Sequence, residues 1–99
     1  MQILFRSQDP ETVYQALEDN LANRELGKLI QLELSDKDLR VEVNKLGTSS
    51  LEFQYKLDGA GFIWELRREK IAFSHRAFKS DILAKIGALV DQIGGSIVP

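Results

Sequence analysis

His75 is the chain's one histidine. It is also the residue best suited to proton transfer, because imidazole changes charge near neutral pH and can serve as a general base. His75 is in phase with Ile71 and Phe73, so an unbroken strand over Lys70–Ser74 would aim it inward, into a small pocket beneath a covering helix. General-base work also needs an orienting carboxylate or a substrate handle, and no acid stands at a fitting spacing. The expectation for His75 is therefore a structural one: a polar side chain at a strand-to-helix join, bonded to a nearby carbonyl. No catalytic, cofactor-binding or metal-ligating residue is assigned. The chain has no cysteine, which excludes thiolate zinc sites, Fe–S clusters and disulfides. Neither a pair of spaced histidines nor a G-x-S-x-G elbow is present.

Gly59-Ala60-Gly61 has the composition of a phosphate loop. It joins two alternating, strand-like runs with no helix behind it, so Asp58-Gly59 reads as a hairpin turn. Glu33, Glu42, Glu52 and Glu65 share one phase with Arg40, Lys56 and Arg67, a mixture expected of solvated cross-strand pairs. Phe53, Tyr55, Phe62, Trp64 and Phe73 fall in the opposite phase and are expected in the core. An RNA-binding sheet would instead carry rings on its open face. That arrangement and a net charge of −2 point away from nucleic acid.

The charge is unevenly spread. Residues 65–85 hold six bases against three acids, whereas residues 1–64 hold seven against eleven. Arg67, Arg68, Lys70, Arg76 and Lys79 are the candidate surface for an acidic partner or an anion, provided that the turn and the helix start bring them together.

The elements that position these residues follow from periodicity. Gln2–Arg6 alternates as a short strand. Asp9-Pro10-Glu11 is a helix start, with Val13, Leu17 and Leu21 as its apolar stripe. From Leu29 to His75 the period is two. Strands are expected around Leu32, Val41, Phe53, Trp64 and Ile71, with turns at Ser35–Asp38, Gly47–Ser50, Asp58–Gly61 and Arg67–Lys70. Connections this short allow only antiparallel pairing. Phe78, Ile82, Ile86, Leu89, Val90 and Ile93 then fall on one face of a C-terminal helix capped by Ser74 or Ser80 and ended by Gly94-Gly95. Residues 96–99 are a frayed tail or a short edge strand.

The 99 residues thus read as a single α+β domain of order β-α-β5-α, an antiparallel meander with both helices on one face. At fold level only, this order resembles the helix-grip and TATA-binding-protein-like arrangements, in which a curved antiparallel sheet holds a C-terminal helix. The N-terminus lacks a signal-peptide pattern and no run is long enough to cross a bilayer, so a cytoplasmic protein is expected, with no membrane and no cofactor.

Function is not readable from these residues. The leading expectation is a non-catalytic protein-interaction module, with homo-oligomerisation open. One alternative is a carrier of a small apolar ligand held between sheet and C-terminal helix. Another is a lyase- or cyclase-type enzyme using His75.

Overall fold

The computed structural model describes residues 1–6 and 8–99. Six strands form one antiparallel sheet: β1 (Gln2–Phe5), β2 (Ile30–Ser35), β3 (Asp38–Asn44), β4 (Thr48–Asp58), β5 (Gly61–Lys70) and β6 (Gly95–Val98), in the order β2-β3-β4-β5-β1-β6. Helix α1 spans Pro10–Ala22 and α2 spans Lys79–Gln92, with short 3-10 helices over Glu25–Lys28 and Phe73–Phe78. Both long helices bury their stripes in one cluster with the sheet. Val13, Leu17 and Leu21 come from α1, Ile86, Leu89 and Val90 from α2, and Ile3, Phe5, Val41, Phe53 and Trp64 from the strands. The other face of the sheet is open.

Local chemistry explains the elements that match expectation. Asp9 accepts the Thr12 amide at 2.9 Å with Pro10 beginning α1, so the cap satisfies an otherwise orphaned N–H. Asp58 pairs with Gly61 across a two-residue turn in which Gly59 takes φ 60°, a backbone angle open to glycine at no steric cost. Trp64 is fully buried, and its indole N–H donates to the Lys37 carbonyl at 2.8 Å. Phe5, Phe62 and Trp64 pack ring against ring within 6 Å.

The ends of the last meander strands differ from the periodic reading. Arg67–Lys70 is not a turn but the end of β5, and no strand follows over Lys70–Ser74. The sixth strand is instead the C-terminal tail, which pairs with β1 from Gln2↔Val98 to Phe5↔Gly95. The reason lies in a bulge. Phe53 faces Leu66 while Glu52 faces Arg68, leaving Arg67 as the extra residue. Strict alternation from Leu66 would send Arg68 and Lys70 into the apolar layer, and one inserted residue turns both back to the open face.

The outer edge of β2 is partly occupied. The Asn44 amide donates to Leu29 O at 2.8 Å, which fixes the ladder's parity and leaves the Leu32 carbonyl pointing away from β3. Tyr14 of α1 donates its hydroxyl to that carbonyl at 3.1 Å. A free edge acceptor is thereby removed from reach of another strand.

Candidate interaction site at the β3–β4 end of the sheet

Residues Lys45–Gly47 turn the chain from β3 into β4. Leu46 stands at φ 54° and Gly47 at φ 134°, both in the left-handed half of conformational space. A Cβ on Gly47 would lie 2.9 Å from Ser74 Oγ and 3.3 Å from Ala72 Cβ, so glycine is also what lets the turn close against the 3-10 segment. The turn expected at Gly47–Ser50 is therefore shifted back, and Ser49 is a buried residue of β4.

A compact network holds the turn. Ser74 Oγ donates to Leu46 O at 2.7 Å. His75 is 4% exposed, with Nε2 at 2.5 Å from Lys45 O and Nδ1 at 2.5 Å from Ser49 Oγ. A carbonyl only accepts, so Nε2 carries the hydrogen of that bond. Ser49 Oγ also accepts the Ala72 amide at 2.8 Å, and with the single hydrogen of a neutral ring on Nε2, the hydroxyl is the donor to Nδ1. His75 thus ties three segments together, β4 through Ser49, the turn through Lys45 and its own 3-10 helix. Both ring nitrogens are engaged, which leaves neither for a substrate in this arrangement. Among the described residues, no buried side-chain polar atom lacks a partner.

Beside this network lies a pocket of about 140 Å³ between the start of β2, the end of β3 and the first turns of α2. Leu29, Val43, Leu46, Phe78 and Ile82 form its apolar wall, with Lys45, Asp81 and Lys85 among its polar members. Its surroundings are unusually apolar for an exterior. Leu46 is 90% exposed and Phe78 60%, and Phe73, on the same 3-10 helix, is 85% exposed. Periodicity places Phe73 and Phe78 in the core. They lie outside because the segment that would have carried Phe73 inward is a 3-10 helix with a three-residue repeat, not a strand. No serine caps α2, whose N-terminal boundary residue is Phe78 itself.

The five candidate cations all lie toward this end of the sheet, but on two sides of it. On the open face, Arg67 donates to Gln54, and Arg68 stands 3.7 Å from Glu52. Lys70 follows in register with Ser50. On the helix side, Lys79 pairs with Glu69, joining the end of β5 to the start of α2. The Arg76 guanidinium lies over the Phe73 ring, 5.6 Å from its centroid. Arg76 and Lys79 therefore border the apolar end, while Arg67, Arg68 and Lys70 are separated from them by the thickness of the sheet. Sequence reasoning missed Leu46, although it falls out of phase with Leu39, Val41 and Val43 and directly precedes a turn glycine, a signal for an apolar side chain pointing to solvent.

The open face carries mixed charge. Lys56 and Glu65 meet at 3.0 Å and Arg40 and Glu42 at 3.2 Å. Glu65 titrates below the usual carboxylate range because of its bonds to Lys56 and Gln2. Among the described residues there is no group of histidine or acidic side chains able to hold a metal, and no helix is long and apolar enough to cross a membrane.

Comparison with family models, with curated proteins and with solved structures produces no match.

Proposed function

We propose that this chain is a non-catalytic protein-interaction module that receives one apolar side chain of a partner in the pocket beside Leu46 and Phe78. The observation that carries the reading is Leu46. A leucine in left-handed conformation costs about 1–2 kcal/mol over glycine, and this one returns almost no burial, since it is 90% exposed. Strain kept at an exposed apolar position beside a pocket is expected of a contact made with something else.

Pocket size selects the kind of contact. Small-molecule sites occupy roughly 300–1,000 Å³, and this pocket is about 140 Å³. A cavity of about 150 Å³ accommodates a benzene ring, so the space suits one phenyl or isobutyl group better than an extended apolar ligand. Burying such a group contributes about 1.5–3 kcal/mol, enough for an anchor within a larger contact.

Panning a random twelve-residue peptide display library on the intact chain tests the reading. Selected peptides are expected to share one Phe or Leu and to lose about tenfold or more in affinity for Ile82→Phe, which places a larger side chain in the pocket wall. Peptides without a common apolar anchor, or with equal affinity for a folded Ile82→Phe variant, would sink it.

A further inference from the structure

We infer that the partner's anchor is carried on an acidic segment, with carboxylates on either side of the Phe or Leu. This rests on the reading of the pocket as an anchor site. The charges around it are what identify the flanks. Lys45 and Lys85 help line the pocket, and Arg76 and Lys79 stand on the adjoining 3-10 helix and helix start. Two acids are close by, and each is already committed: Asp81 to Lys85 at 3.2 Å, and Glu69 to Lys79. Among the described residues, Lys45 and Arg76 form no ion pair, which leaves one uncompensated cation in the pocket lining and a second on the adjoining 3-10 helix.

The backbone of the first is anchored, and the second lies against an aromatic ring. The Lys45 carbonyl is fixed by His75 Nε2, so its backbone cannot drift from the pocket rim. The Arg76 guanidinium rests on the Phe73 ring. That cation–π contact favours keeping the guanidinium beside the ring, and a guanidinium can meet a carboxylate in a two-pronged contact. Docking an apolar side chain against Leu46 and Phe78 brings the partner's backbone over these cations and removes water from them. Desolvating a cation without an anion is costly. An acidic flank offsets that cost, a neutral flank does not, and a basic flank adds repulsion.

Three short acetylated probe peptides separate the possibilities, each with a central Phe and flanked on both sides by two acidic, two serine or two lysine residues. Binding to the full chain would be followed by the amide shifts of Leu46, Ser74 and Ile82 at low and at high salt. The acidic peptide is expected to bind about tenfold tighter than the serine peptide at low salt, an advantage that shrinks as salt screens the pairs. The double variant Lys45→Glu/Arg76→Glu should reverse the order in favour of the lysine peptide. Equal binding of the acidic and serine peptides, both abolished by Ile82→Phe, would overturn the acidic-segment inference and leave the anchor site standing. If none of the peptides moves these amides, both readings fail. Sedimentation with vesicles of phosphatidylcholine and phosphatidylserine at 3:1 adds a last arm. Vesicle binding that depends on Leu46 and Phe73, with no preference for the acidic peptide, would assign this end to a bilayer surface and overturn the inference.

Discussion

Replacing Leu46 by glycine should make the protein more stable while weakening whatever docks at its pocket. An L-residue in the left-handed region costs about 1–2 kcal/mol, and Leu46 sits there at φ 54°. Glycine removes that strain but adds freedom to the unfolded chain, worth about 0.5–1 kcal/mol in the opposite direction. The side chain is 90% exposed, so the burial forfeited is about a tenth of a full leucine, or ~0.2–0.3 kcal/mol. The balance is a gain of about 0.5 kcal/mol, corresponding to roughly 2–4 °C in Tm for a domain of this size. Urea unfolding should show the midpoint rising with the slope unchanged. Leu46→Ala is the control: it keeps the left-handed strain and should gain nothing. If Leu46→Gly is less stable than the parent, or no more stable than Leu46→Ala, then the turn is not strained and Leu46 gives no support to a docking role. The same glycine variant should bind the acidic probe peptide more weakly, because Leu46 forms part of the pocket wall. Higher stability with lower affinity is a combination that a purely structural leucine would not produce.

His75→Gln should lower stability by about 1–3 kcal/mol in urea titrations, since one amide cannot reproduce both bonds and leaves buried Ser49 or the Lys45 carbonyl unsatisfied; a loss below about 0.5 kcal/mol would mean the network contributes little. Trp64 fluorescence should resist iodide, because the ring is fully buried; ready quenching would contradict the packing of both helices on that face. Arg67→Glu/Arg68→Glu should change stability by less than about 1 kcal/mol, as exposed pairs at 3.7 Å contribute little. Tyr14 titrates above the usual phenol range, chiefly because burial disfavours the phenolate and then because Glu18 and Glu33 lie near. The unfolded chain therefore releases this proton first as pH rises. The stabilisation is complete below the ordinary tyrosine range near 10 and is lost as pH climbs through the folded value. Tyr14→Phe should flatten that alkaline decline, and an unchanged decline would place its origin elsewhere.

Much of the architecture follows from short-range chemistry. Asp9-Pro10 starts α1 because cap and proline act within one turn. The Val13, Leu17 and Leu21 stripe is buried because helical geometry puts them on one side, and Asp58-Gly59 closes a hairpin because glycine tolerates φ 60°. The alternation of Leu39, Val41 and Val43 and of Phe62 and Trp64 was enough to separate the covered face from the open one. His75 was legible as a residue bonded to a carbonyl, though neither Lys45 nor Ser49 as its partners.

The candidate site was not legible in this way, since its parts meet only across long separations. Whether Arg67–Lys70 turns or continues depends on Ser50, Leu51 and Glu52, which face it from the neighbouring strand, with the bulge at Arg67 falling between the partners of Glu52 and Phe53. Extending β5 to Lys70 consumed the residues expected to form a turn, so the following segment coils as a 3-10 helix and carries Phe73 and Phe78 outward. The sheet then divides the five cations between its two faces, a partition that linear charge cannot express. Local sequence determined which residues are apolar, capped or turned. Only the tertiary structure decided which end of the sheet keeps apolar surface exposed, because that depends on how many strands the chain can pair before α2 must fold back over the core.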